Sequence, residues 1–315
     1  MEISHAMSPA PSRVAILLAT YCGAEFLEEQ LQSFRAQTHG DWELHVSDDG
    51  STDDTLAIVE AFATTAERPV EIRAGARVGF CRNFLSLIPR RQTDAAYFAF
   101  SDQDDIWHPQ KLAKAVAWLE SVPAGCPALY FSRTALVARD GAALGLSPLF
   151  RRPPVFENAL VQNIGGGNTM VFNEAARSLL AQTPSDVPLV SHDWWAYQLI
   201  TGAGGIAHYD PWPSLKYRQH GQNLVGSNIG LRARLVRLVA FAGGRVVDWN
   251  AINIAALDSV RHLLRSGNVR VLERYARARR ASALLRPYLL WSAGVYRQTS
   301  LETVGLYLGA LLGRI

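Results

Sequence analysis

"RVAILLATYCGAEFLEEQLQSFRAQTHGDWELHVSD" (residues 13–48) reads as strand, helix, strand. "RVAILLAT" is a short, branched, apolar run of the length of a buried strand. "EFLEEQLQSFRAQ" places apolar residues at helical spacing, and "WELHVSD" returns to the strand pattern. The alternation continues outward. "TDDTLAIVEAFAT" predicts a helix with Thr52 or Asp53 near its cap, "VEIRAG" a short strand, "FCRNFLSLI" a helix and "AAYFAF" a strand. Strands that alternate with helices build βαβ units, so residues 13 to 100 predict a mostly parallel sheet covered on both faces.

Beyond the fourth strand, "PQKLAKAVAWLE" predicts a helix and "ALYFSRTALVARDG" a strand entering a hairpin. "GGGNTMVF" predicts a strand behind a glycine loop, and "HDWWAYQLITGAG" a helix ending at glycine. From about residue 231 the pattern is helical throughout. This divides the chain into a disordered tail (1–12), an α/β domain (13–230) and a basic amphipathic helical region (231–315).

At 315 residues, 49% apolar and 19% charged, the chain can bury a large core and is not of disordered type. Cys22, Cys81 and Cys126 are scattered, which argues against a disulfide framework or a zinc site and fits a reducing compartment. The N-terminal residues lack the pattern of a secretory signal, and no apolar run is long enough to span a bilayer. The net charge of +3 hides a division: residues 1–230 hold 17 Lys/Arg against 24 Asp/Glu, and residues 231–315 hold 14 Arg against 4 acids. A basic second part predicts contact with an anionic surface.

Three predicted strand ends carry polar or acidic groups: "ATYCGAE", "SDDGSTDDT" and "SDQDDIW". Each alone reads equally as a solvated turn or a helix cap. In a parallel sheet, however, these ends lie side by side, where ligands of open α/β sheets bind. The Asp-x-Asp of Asp102 and Asp104 suits a hard divalent cation such as Mg²⁺ or Mn²⁺, which takes oxygen ligands and shares them with phosphates. There is no Gly-x-Gly-x-x-Gly, no Gly-x-x-x-x-Gly-Lys-Ser/Thr and no Gly-x-Ser-x-Gly. Dinucleotide, P-loop and hydrolase-elbow readings therefore lack their motifs.

The ordered set "LLATYCGAEFLEEQLQSFRAQT", "DDGSTDDT", "GFCRNF", "SDQDDIWHPQKL", "HDWW" and "YRQHGQN" resembles the family 2 glycosyltransferases over roughly residues 13–228. "SDQDDIW" and "HDWW" are most similar to rhamnosyltransferase-type members of bacterial surface-polysaccharide assembly. The resemblance implies a Rossmann-like GT-A domain and an inverting, metal-dependent transfer from a nucleotide sugar. It implies that Thr20 and Tyr21 border the nucleotide base, that Asp48 accepts from its ring N–H, and that Asp49, Asn83 and Arg77 lie near the nucleotide or its phosphates. It places Asp102 and Asp104 at the metal, Asp105 near the donor sugar, and His220 as a further metal or diphosphate ligand. Arg218 is the alternative neutraliser of the diphosphate. Asp193 is the implied general base; its other reading is a cap on the helix it opens. Of Trp194 and Trp195, one is expected in the core and the other beside the acceptor. Cys22 stands where family members often have Asn.

Implied partners are a dTDP- or UDP-sugar donor, dTDP-rhamnose among them, and a saccharide or lipid-linked saccharide acceptor in O-antigen-like assembly. The implied location is the cytoplasmic face of the inner membrane. There is no Gln-x-x-Arg-Trp, so transfer of a single residue is expected, not processive synthesis. The alternatives are a nucleotidyltransferase, which would carry a basic phosphate loop where "TYCGAEF" is acidic, and a non-catalytic nucleotide-sugar-binding module, which would have lost the Asp-x-Asp or the base. The arginine-rich tail lacks nucleic-acid motifs. Its Arg, interleaved with Leu, Val, Tyr and Trp, predicts a membrane surface, or else packing on the catalytic domain or a second subunit.

Overall fold

The computed structural model describes residues 12–89, 93–123, 125–220 and 245–315. The predicted tail at 1–12 (all but its last residue), the boundary at 230 and the arginine-bearing "LRARLVRLVAFAG" lie outside the described residues. The predicted alternation is realised as β1 (Val14–Thr20), α1 (Ala24–Arg35), β2 (Trp42–Asp48), α2 (Thr55–Thr65), β3 (Val70–Ala74), α3 (Phe80–Leu87) and β4 (Tyr97–Ser101). These strands lie in the order β3-β2-β1-β4 and are all parallel.

Strand periodicity sends alternate side chains to opposite faces, and both faces are covered. Val14, Ile16 and Leu18 join the core under α1, α2 and α4 (Lys111–Glu120), whereas Ala15 and Leu17 join the core under α3 and α7 (His192–Gly202). Phe98 and Phe100 of β4 face the second core, and Ala99 the first.

Beyond β4 the sheet continues through β8 (Val171–Asn173), β6 (Ala128–Ala138), β9 (Ile206–Gln219) and β5 (Ile106–Trp107), with β7 (Ala143–Leu146) paired to β6 as the predicted hairpin. β8 runs antiparallel to both its neighbours, and β6 and β9 are parallel. β9 is the main element that sequence reading missed. "IAHYDPWPSLKYRQ" carries Pro211 and Pro213, which oppose a central strand; the ladder shifts register around them and resumes at Ala135↔Lys216. Short α5 (Phe156–Ala159) and α6 (Glu174–Leu180) complete this half.

The described C-terminal residues are helical, as predicted: α8 (Arg245–Ser259), α9 (Ser266–Arg280), α10 (Arg286–Ser292) and α11 (Ser300–Leu311). They do not stand apart. Leu257, Val260, Leu272, Tyr275, Leu290 and Leu306 belong to the same core as Phe156, Trp195 and Leu199. A polar seam seals the contact. Gln298 Nε2 donates to the Arg152 carbonyl (3.1 Å), Asn158 Nδ2 to the Tyr296 carbonyl (3.0 Å) and Asn268 Nδ2 to the Gly202 carbonyl (2.9 Å). Among the described residues no helix is long and apolar enough to cross a membrane.

Candidate active site

The parallel register sets the strand ends abreast: Thr20 pairs with Asp48, and Leu18 with Ser101. Side chains then tie the three loops together. Thr20 donates its hydroxyl to Asp48 (2.8 Å), and the other Asp48 oxygen accepts from the backbone N–H of Gly50 (3.1 Å) and Ser51 (2.8 Å). Asp49 accepts from the backbone of Gly79 (2.8 Å) and so holds the loop containing Arg77 against β2. Gln103 closes the third side, accepting from Tyr21 N (2.8 Å) and donating to the Tyr21 carbonyl (3.0 Å). Gly23 makes room for it: a Cβ there would lie 2.2 Å from the Gln103 side chain. The exposed Tyr21 ring stands at the rim of this frame.

Asp102, Asp104 and Asp105 offer carboxylate oxygens within 4.8 Å of one another. Their crowding shows in their protonation. Desolvation first, then the charges of Asp104 and Asp193, push Asp102 up to about 8. Burial, then Asp104 and Asp102, drive Asp105 well above the usual carboxylate range. Asp104 Oδ2 lies 2.7 Å from His220 Nε2, which directly follows β9. A set of hard oxygen donors whose charges repel fits a divalent cation, which would relieve that repulsion.

Several expectations need correction. Asp105 has no exposed surface for a donor sugar: one oxygen accepts from Asn168 Nδ2 (2.5 Å), and its charge acts on the equally buried Lys111. The Lys111 ammonium lies 3.8 Å over the Trp107 ring, and burial brings it down to about 7 against the pull of Asp105. Arg218 does not face an open phosphate site. Its guanidinium is buried over Phe26, bonds Glu29 (2.7 Å) and the Arg139 carbonyl (2.8 Å), and reaches the Asp104 carbonyl at 3.3 Å, so it positions the acidic loop. Asn83 is also buried. Its amide donates to the Ser47 carbonyl (2.8 Å) and its oxygen accepts from Ser47 Oγ (2.6 Å), supporting β2 from below. Trp194 and Trp195 are both core residues, with indole N–H groups bonded to the Ala159 carbonyl (2.7 Å) and Thr183 Oγ1 (2.8 Å); neither offers a face to an acceptor.

Asp193 opens α7 and is half-buried. One oxygen accepts from Trp194 N (2.6 Å) and from Ser191 Oγ, the other from Asn163 Nδ2 (3.0 Å). The N-cap position is Ser191, which makes no side-chain capping bond, so Asp193 is an acidic residue within the first turn and not its cap; its charge also acts on Asp102. Sequence reading missed Gln103, Asn163, Asn168 and Lys111. Gln103 and Lys111 fall inside quoted motifs, but nothing in their type distinguishes them; Asn163 and Asn168 become visible only once β8 and α7 are packed together.

The family model described as "Glycosyl transferase family 2" matches residues 15–180, more than half the chain and all of the acidic loop. The chain belongs to glycosyltransferase family 2. It is 30% identical over 229 residues to the dTDP-rhamnosyl transferase RfbG of Shigella flexneri, an alignment covering 70% of this chain and 78% of that one. It is 29% identical over 164 residues to the putative teichuronic acid biosynthesis glycosyltransferase TuaG of Bacillus subtilis, covering 51% and 62%. Among solved structures, S. aureus TarS 1–349 in complex with UDP superposes with a TM-score of 0.53 at 15% identity, covering 95% of this chain and 90% of that one. The mannosyltransferase PcManGT from Pyrobaculum calidifontis, in complex with GDP-Man and Mn²⁺, gives 0.52 at 18%, covering 98% and 88%. The domain is therefore of GT-A type, and the protein is a glycosyltransferase.

Proposed function

We propose that this glycosyltransferase moves one sugar, with inversion, from a nucleoside-diphosphate donor to a saccharide or lipid-linked saccharide acceptor, in a reaction that depends on a divalent metal. L-rhamnose from dTDP-rhamnose is the donor we put forward, on the likeness to RfbG, and bacterial surface-polysaccharide assembly is the setting. The observation that carries the reading is the cluster of Asp102, Asp104 and Asp105 carboxylates after a parallel strand, with Asp193 near enough for its charge to act on Asp102.

In this reading Thr20, Tyr21, Asp48, Asp49 and Arg77 frame the nucleotide. Asp102, Asp104 and His220 would hold Mn²⁺ or Mg²⁺, which when bound offsets the charge gathering on the departing diphosphate. Asp193 takes the proton of the acceptor hydroxyl as that oxygen bonds to the anomeric carbon and the bond to the diphosphate oxygen breaks. Asn163 and Ser191 fix the carboxylate for that task. A lipid-linked acceptor would place the enzyme at the cytoplasmic face of the membrane.

Two substitutions test the roles separately. Asp193→Asn is expected to lower transfer by about 10²–10⁴-fold, the range for losing a general base, with dTDP affinity measured by calorimetry unchanged. Asp104→Asn is expected to lose both transfer and metal-dependent dTDP binding. Full transfer by either variant, or full wild-type activity in EDTA, would remove that residue from its role. Thermal-shift profiles with dTDP, UDP and GDP, each with Mn²⁺ or Mg²⁺, would identify the nucleotide.

A further inference from the structure

We propose that the outer faces of α10 and α11 form a docking surface for an anionic lipid bilayer; this rests on the reading of a lipid-linked acceptor. Both helices are half in the core and half out. Leu290 and Leu306 are buried, whereas Tyr288 and Trp291 on α10 are 60% and 68% exposed and Leu284, in the turn before it, 87%. On α11, Leu301 and Leu308, seven residues apart, are 83% and 56% exposed, and Leu312 just past its end is 74% exposed. The two helices are joined, with an Arg286 guanidinium N–H donating to the Ala310 carbonyl at 3.3 Å. Water-facing leucines at this exposure are not explained by the fold, and aligned along helix faces they mark a contact surface.

Charge selects the partner. Residues 266–315 contain eight Arg, no Lys and only Glu273 and Glu302 as acids, and Arg277, Arg280 and Arg314 are exposed. A second copy of this chain would bring the same positive charge against itself in a two-fold contact, whereas anionic headgroups complement it. Tyr288 and Trp291 supply aromatic rings of the kind that settle at headgroup depth. Neither helix can span a bilayer, so the arrangement is an enzyme lying on the surface.

The test is flotation of the full chain with phosphatidylcholine vesicles, with and without phosphatidylglycerol, at low and high salt. Wild type is expected to float with the anionic vesicles only, and less at high salt. Leu301→Glu/Leu308→Glu should reduce partitioning by about tenfold or more, with melting temperature and donor hydrolysis unchanged. Absence of binding to the anionic vesicles, or equal binding by the variant, overturns the proposal. So does a dimer in sedimentation velocity that the same substitutions dissolve, which would assign the face to a second copy. Donor hydrolysis is read independently, so a wild type that hydrolyses donor but does not bind the anionic vesicles refutes the surface and leaves the transferase reading standing.

Discussion

Cys22 shows how one residue's backbone can explain a family preference. It has φ of +48°, the left-handed region that Asn tolerates better than most residues, so Cys here occupies the position where the resembling family often has Asn. Its N–H donates to Ser51 Oγ (2.8 Å), which keeps the β1 loop on the β2 loop despite the exchange. His192 carries a different cost. It is buried, stacked 3.8 Å from Phe84, and neither ring nitrogen has a hydrogen-bond partner among the described residues. Burial lowers it to about 4, against the opposing charge of Asp193. A histidine depressed in the folded state binds its proton more readily when unfolded, so stability is lost as pH falls from about 6.5 through 4, at up to roughly 1.4 kcal/mol per pH unit. Urea denaturation between pH 7 and 4 should show this slope, and His192→Gln should flatten it by about that amount. An identical slope in the variant would assign the acid sensitivity to other groups.

At the scale of elements, the glycine loop before β8 positions the proposed base, Asp193, through close approach. A Cβ on Gly167 would lie 2.3 Å from His192 Nε2, beside Asp193 in the first turn of α7. Gly167→Ala should therefore push the start of α7 outward. The expected result is a loss of about 1–3 kcal/mol in stability, as for overpacked sites, together with a fall in kcat larger than any change in dTDP affinity. Denaturation and steady-state kinetics on the same preparation read both. Unchanged kcat would mean that the helix start yields without moving Asp193. β9 matters in the same way, since its register beside β6 and β5 carries Arg218 and His220 to Asp104.

At the scale of the whole molecule, the C-terminal helices complete the core under α7. Leu257, Val260, Leu272, Tyr275, Leu290, Val295 and Leu306 are all nearly or fully buried. At roughly 1.5–3 kcal/mol for each large apolar side chain, their burial is as large as the whole net stability of about 5–15 kcal/mol typical of a domain. A chain ending at residue 244 is expected to be insoluble, or soluble with dye-binding exposed cores and no cooperative melt. A soluble, cooperatively melting, active fragment would show that the catalytic domain stands alone. Several arginines of the tail also have structural work: Arg279 bonds the Val247 carbonyl (2.7 Å) and Arg297 the Val161 carbonyl (3.1 Å).

The sequence alone determined the alternating strands and helices of residues 13–100 and the convergence of their loaded ends. Strand periodicity, helix periodicity and turn residues are local signals, and in a parallel sheet the ends must meet. It also sufficed for the Asp-x-Asp, whose charge is dense within four residues. It did not reveal β9, because Pro211 and Pro213 mask a strand that exists only through pairing with β6. Nor did it show which polar side chains turn inward. Asp105, Arg218, Asn83 and both tryptophans carry types suited to ligand binding, yet tertiary packing directs them to Asn168, Glu29, Ser47 and the core. Side-chain direction depends on which neighbour arrives from a distant part of the chain. That is why the structure, and not the spacing, decided which members of each motif face the cleft and which hold it in shape.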